Sequence, residues 1–231
     1  MLRYSKDHKS FILYSGVLYL TIFLSYKIPH DSYSFIQALI KPIRNGNSVF
    51  YVSSLVVLAL SIVGIIGFVN LKRFEARNKF LVFLLVVIII IPFMNWSIDM
   101  TRSFFFWFQE DKLSAVDLDD SNLSLAGANN KLTLTVHLTF VDYSSSGNSF
   151  QYRIYLPESL SKYTGVDVLE SDTLYTTSGN RNKTGITETF DLYLKDNNAL
   201  DQACSSEWSY EDTTYELYNQ SETVKIVDHG L

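Results

Sequence analysis

Only one cysteine, Cys204, stands in this chain of 231 residues. A lone thiol closes no internal disulfide, so no disulfide framework holds the protein together. Eukaryotic extracellular domains commonly carry such bridges. Their absence from a domain placed outside the cytoplasm fits a bacterial source, as does usage rich in Lys, Asn, Ile, Tyr and Phe. Catalytic signatures are missing as well: there is no GxSxG, no Walker motif and no GxGxxG. The four histidines, His8, His30, His137 and His229, are scattered, and none sits in an HExxH or Cys/His spacing. Cys204 has no histidine beside it and reads as buried and inert. Acidic residues are numerous in the second half, but nothing singles out two of them as a hydrolytic dyad. The expectation is a non-enzymatic protein with no metal and no cofactor.

Charge is absent from three long stretches. Phe11–Tyr26, Val49–Val69 and Phe80–Ile98 contain no Asp, Glu, Lys or Arg. A helix needs roughly 20 apolar residues to cross the hydrocarbon layer. Three transmembrane helices are therefore expected, at 11–28, 49–69 and 80–98, within a membrane region spanning 1–109. The first is short, with Lys9 and Lys27 placed to reach the interface. It is not expected to be a cleaved signal peptide, because Lys27-Ile28-Pro29-His30 offers no small-x-small site. In the second run Ser54, Ser61, Gly64 and Gly67 fall near one face, the kind of small-residue stripe that lets helices approach in lipid. Pro92 is expected to kink the third. A short amphipathic helix is expected over Ser32–Lys41, capped by Asp31 or Ser32 and ended by Pro42.

The charges that are present divide unequally. Residues 1–109 carry 11 Lys/Arg against 4 Asp/Glu, and residues 110–231 carry 8 against 20. The acidic half is a poor nucleic-acid binder, since phosphates would repel it. The tail residues Arg3, Lys6 and Lys9 and the loop residues Lys72, Arg73, Arg77 and Lys79 set seven positives on one side. Lys27, Lys41, Arg44, Arg102 and Lys112 set five on the other. The positive-inside rule then places the N-terminus in the cytoplasm and the C-terminal part outside the cell membrane.

After the third run comes an aromatic cluster. Arg102, Phe104, Phe105, Phe106, Trp107 and Phe108 stand where an interfacial belt would anchor the chain to the bilayer. Beyond it the hydrophobic period changes to two. Leu132, Leu134, Val136, Leu138 and Phe140 alternate with Thr133, Thr135, His137 and Thr139, and Phe150, Tyr152, Ile154 and Leu156 alternate again. These two strands read as a hairpin around a polar loop. Further strands are expected at 122–125, 166–170, 173–177, 185–194, 214–218 and 222–227, with a helical turn near 157–163. The fold class is thus membrane α-helical plus a C-terminal all-β domain over 110–231, an immunoglobulin-like β-sandwich without the Cys…Trp…Cys core. The run Asp117, Asp119 and Asp120 has oxygens at calcium-loop spacing but lacks the loop's glycine and terminal acid, so a solvated turn is expected there.

Together these observations describe a multi-pass membrane protein whose outer domain binds a partner, as an accessory or regulatory subunit. The partners implied are the lipid bilayer and another membrane or cell-surface protein, with 122–125 or 222–227 as strand edges on offer. An envelope sensor or immunity-type protein is an alternative, although little chain lies in the cytoplasm. An oligomeric transporter component is another, although no charge lies within the apolar runs.

Overall fold

The computed structural model describes residues 2–45, 48–107, 112–128, 131–195, 200–204, 208 and 211–230. The elements in chain order are α1 (Leu2–Ser25), α2 (Phe35–Leu39), β1 (Ile43–Asn45), β2 (Ser48–Phe50), α3 (Val52–Val69), α4 (Lys79–Leu85) and α5 (Ile91–Trp107). They are followed by β3 (Val116–Ala128), β4 (Lys131–Asp142), β5 (Ser149–Tyr155), α6 (Glu158–Thr164), β6 (Val168–Glu170) and β7 (Tyr175–Thr176). The chain ends with β8 (Asn182–Tyr193), α7 (Leu200–Ala203), β9 (Thr213–Tyr218) and β10 (Thr223–Asp228). Two compact units result: Met1–Ile28 with Tyr33–Thr101, and Pro29–Ser32 with Arg102–Leu231.

In the first unit, two helical stretches among the described residues are long and apolar enough to cross a membrane. They are Val52–Val69 and the 29-residue stretch Lys79–Trp107. The expected third span at 11–28 does not qualify. α1 does form, and over 24 residues, but His8, Lys9, Ser10, Tyr14, Ser15, Tyr19 and Thr21 dilute its apolar content. The third run is longer than expected because α4 and α5 are joined by a π-helical turn, Val86–Ile90. Pro92 lies just beyond that turn. Proline has no N–H to give and its ring crowds the carbonyl four residues back, so widening the preceding turn relieves both problems without ending the helix.

α1 packs along α3. Leu18, Phe68, Leu71 and Val86 are buried together, with Phe11, Tyr14, Ile65 and Met94 around them. Gly64 and Gly67 stand at the closest approach. A Cβ at Gly64 would lie 2.7 Å from Leu18 Cδ2, and one at Gly67 would overlap the Tyr14 ring. Ser61 donates to Val57 O at 2.8 Å, Ser54 is exposed, and Ser53 is the buried serine of this helix. At one end Asp7 accepts from the Lys72 amide and from Arg73 Nε, each at 3.2 Å, and the Arg73 guanidinium lies 4.2 Å from the Phe11 ring centroid. The short helix α2 is narrower than expected. Its cap is Ser34, whose amide donates to Gln37 Oε1 at 2.8 Å, rather than Asp31 or Ser32.

The second unit is mostly antiparallel β-sheet. One sheet has the order β3-β4-β8 and the other β10-β9-β5-β6, with β7 also pairing β5. β4 is paired along its whole length on both sides, Leu134 facing Leu125 and Phe190. Its alternation buries Leu132, Leu134, Val136, Leu138 and Phe140 almost completely. From the other sheet Phe150, Tyr152, Ile154, Tyr215, Leu217 and Ile226 enter the same core. Each such side chain contributes about 1.5–3 kcal/mol on full burial. The Phe140 and Phe150 rings meet edge-on at 5.3 Å. A polar clasp crosses the same gap: Glu188 of β8 accepts from Tyr152 at 2.6 Å and from Tyr175 at 3.1 Å. Burial, then the hydrogen bond to Glu188, pushes the Tyr152 hydroxyl well above the usual tyrosine range.

Several sequence expectations are corrected here. β4 and β5 do not form a hairpin; they lie in different sheets. Both carry an apolar face, and each satisfies it from its own side of the shared core. The acidic run is not a turn. It belongs to the 13-residue strand β3, which absorbs the extra residue through a register shift between Leu118 and Asp120. Cys204, at the end of α7, is exposed rather than buried.

The close approach at Gly67 yields a prediction. In a helix, Gly→Ala normally gains about 1 kcal/mol of propensity. At Gly67 the new methyl meets the Tyr14 ring, and overpacking costs about 1–3 kcal/mol. Gly67→Ala should therefore lower the denaturation midpoint of the purified chain. Gly16→Ala, where a Cβ meets nothing within 4 Å, should not lower it.

Candidate functional site

Two arrangements in the second unit carry chemistry. The first gathers part of the predicted anchor. Arg102 lies in the last turns of α5, and its Nη2 donates to Asp117 Oδ2 of β3 at 2.7 Å, with both side chains nearly excluded from solvent (9% and 5% exposed). The guanidinium lies 4.1 Å from the Tyr143 ring centroid. Asp117 Oδ1 accepts the backbone amides of His30 at 3.0 Å and Leu118 at 2.9 Å. The segment Pro29–Ser32 is thereby tied in. Its Ser32 amide donates to Val227 O at 2.9 Å, and His30 O accepts from Val227 N at 3.0 Å. These bonds pair the end of β10, so the edge expected at 222–227 is already partly occupied. His229 bridges Asp31 at 3.2 Å and Asp212 at 3.1 Å.

The aromatic cluster divides between two surroundings. Phe106 is buried, with its ring 6.4 Å from that of Tyr143. Phe104, Phe105 and Trp107 are exposed by 70%, 65% and 49%. Phe108 lies outside the described residues. Asp117 and Asp119, grouped in sequence, take separate cations: Asp117 pairs Arg102, and Asp119 accepts from Lys183 Nζ at 2.6 Å. Among the described residues no three His, Cys, Asp or Glu side chains gather as a metal site.

The second arrangement lies on the outward face of the larger sheet. Strand register sets Glu170 opposite Arg153, Arg153 opposite Glu216, and Glu216 opposite Lys225. One row across β6, β5, β9 and β10 thus alternates in charge. The ion pairs follow it: Arg153 Nη2 to Glu170 at 3.0 Å, Arg153 Nη1 to Glu216 at 3.1 Å, and Lys225 Nζ to Glu216 at 3.7 Å. Two tyrosines complete the array. Tyr155 donates to Glu216 at 3.1 Å, and Tyr218 donates to Glu170 at 2.5 Å. Arg153 stacks 4.3 Å from the Tyr218 centroid, and Lys225 lies 5.4 Å from that of Tyr155. Exposed ion pairs add little to stability. What this row supplies is order, because each long side chain is held by two partners.

Beside the row an open groove of about 840 Å³ lies between the β4–β5 loop, β7 and the β9–β10 turn. A buried carboxylate shapes its wall. Asp142, fully buried at the end of β4, accepts from the Ser144 amide at 2.9 Å, from Asn148 Nδ2 at 3.0 Å and from the Thr177 hydroxyl. The Asn148 amide also donates to the Thr177 hydroxyl at 2.8 Å, and the Thr177 amide donates to Asn148 O at 2.9 Å. Gly147, with φ +87°, is required here, since a Cβ would run into Thr177 O. No sequence signal marks this groove or the charged row. Alternation places the members of the row on the polar faces of four strands, but only strand register puts them side by side.

No protein-family model matches the chain, and no curated protein is similar to it.

Two measurements probe the two arrangements. Breaking a buried ion pair strands one charge and costs about 3–5 kcal/mol. Arg102→Ala should lower the unfolding free energy by that order, read by denaturant titration, and the double change Arg102→Met with Asp117→Leu should recover much of the loss. In the row, the Tyr218 hydroxyl and then the Arg153 guanidinium hold the Glu170 carboxyl below its ordinary value. A lowered folded pKa means the contribution is present above the unfolded value and is lost as pH falls through the folded one. A carboxyl-resolved NMR titration should find Glu170 titrating below an ordinary glutamate. Tyr218→Phe should move it back up.

Proposed function

We propose that this chain is an integral protein of a bacterial cell membrane whose β unit lies outside and binds a partner protein, as a non-enzymatic accessory or regulatory subunit. The observation that carries the membrane reading is the outward surface of the two apolar helical stretches. Leu55, Leu58, Ile62, Val63 and Ile66 of α3 are exposed, as are Phe80, Leu81, Ile88, Ile89 and Phe93 of the second stretch. In water such a surface would be an aggregation liability; in lipid it is the solvated state. Helical hydroxyls support the same reading. Thr21, Ser25, Ser61, Ser97 and Thr101 each donate to a backbone carbonyl of the turn before, as groups without water must. α1 packs along α3 as the least apolar member of this bundle. Phe104, Phe105 and Trp107 form the interfacial belt at the end of α5. The basic loop with Lys72, Arg73, Arg77 and Lys79 lies in the cytoplasm.

The β unit is an immunoglobulin-like sandwich in this reading. Lettered in chain order, β3-β4-β8 corresponds to strands A, B and E, and β10-β9-β5-β6 to G, F, C and C′. The partner face is the alternating row with its two tyrosines. Tyrosine and arginine are the residues that most often anchor interfaces, and fixed alternating charges select register and reject mismatched surfaces.

The membrane half of the proposal predicts that the chain stays in the pellet after alkaline carbonate extraction. It also predicts that protease added to intact cells digests the β unit. Release by carbonate, or full protection, would overturn it. For the partner half, chemical crosslinking in native membranes should co-purify a stoichiometric protein. Lys225→Glu, which turns the row acidic at one end, should reduce that recovery about tenfold, the loss expected when opposed charges become like charges. Unchanged recovery counts against this face.

A further inference from the structure

The groove beside the charged row differs chemically from the rest of the β unit. Residues 110–231 carry 28 charged side chains, yet none of the described residues lining the groove is charged. Amides and hydroxyls take their place, among them Gln151, Gln220, Ser149 and Thr176, together with the ring of Tyr218 and the exposed side chain of Leu174. Resting on the reading of this unit as an extracytoplasmic binding module, we propose that the groove binds an uncharged oligosaccharide of the cell surface.

The argument is one of matching groups. A sugar hydroxyl both donates and accepts, and amide and hydroxyl side chains do the same, so each contact can be satisfied in either sense. The aromatic ring provides an apolar face for the C–H side of a pyranose. A volume of about 840 Å³ lies within the ~300–1,000 Å³ range of small-molecule sites, room for a ligand of a few rings. An anionic ligand would find no cation in the described lining, and Arg153 and Lys225 of the adjoining row are already held by Glu170 and Glu216. A protein partner is the weaker match, because interface centres concentrate several aromatic, Met and Arg anchors and the described lining of this groove has one ring. The Asp142 network fixes the loop wall before any ligand arrives, which lowers the ordering cost of binding.

The test uses the full chain in lipid nanodiscs, with chitotetraose, cellotetraose and maltotetraose as neutral probes and a sulfated tetrasaccharide as the anionic one. Saturation-transfer NMR should show contact with at least one neutral probe and none with the sulfated one. The double change Gln151→Ala with Gln220→Ala removes two side-chain amides and should weaken that binding about tenfold. Thr176→Ala should weaken it less. Lys131→Ala, on the other sheet, should leave it unchanged. Silence with all neutral probes, a preference for the sulfated one, or full binding by the double variant would each overturn the proposal. Crosslinked partner recovery is measured in native membranes for the same chain and variants. Partner recovery without sugar contact rejects the groove assignment alone, whereas loss of both rejects the binding-module reading.

Discussion

The second unit depends on one constraint, the strict alternation along β4. Five apolar side chains on one face of this strand are nearly inaccessible, and both backbone edges are paired over twelve residues. A slip of one residue would send all five to the other face and bring the threonines and His137 inward. The rest of the β unit is arranged around that face. β3 and β8 complete its sheet, β5 and β9 meet it from the opposite side, and Asp142 at its end ties down the loop that carries the chain across.

The first unit is organised by a different rule. Its helices bury few side chains, and the contact between α1 and α3 is made by shape, with Leu18 and Tyr14 set against glycines. Close packing against residues that lack a side chain fixes how these two helices fit, because a Cβ at either glycine would overlap its neighbour. The π-turn before Pro92 keeps one continuous 29-residue helical stretch past a residue that has no N–H to give.

The polar chemistry of the β unit follows from burial. Arg102 and Asp117, both nearly excluded from solvent, form an ion pair whose loss would strand a charge, so the pair specifies where the end of α5 sits against β3. The row from Glu170 to Lys225 is half exposed and adds little stability, but it presents two tyrosines and two cations in fixed positions. The adjoining uncharged groove sits on the same face, so the unit offers two chemically distinct surfaces side by side.

What the sequence determined by itself is what period and composition encode. Strands at 131–140 and 149–156 are legible from alternation, those at 185–194, 214–218 and 222–227 from short runs set between turn residues, and the two most apolar runs from the absence of charge, because those patterns repeat within a window of a few residues. The first run misled, since freedom from charge is not the same as apolarity when Ser, Thr and Tyr are interspersed. Tertiary structure alone decided the rest. Whether β4 and β5 form a hairpin or face each other depends on which neighbours fill their edges. Whether Asp117 meets solvent or Arg102 depends on a helix end fifteen residues away. Whether Glu170, Arg153, Glu216 and Lys225 form a row depends on the register of four strands. Each of these is set by long-range packing, and no local pattern of residues carries that information.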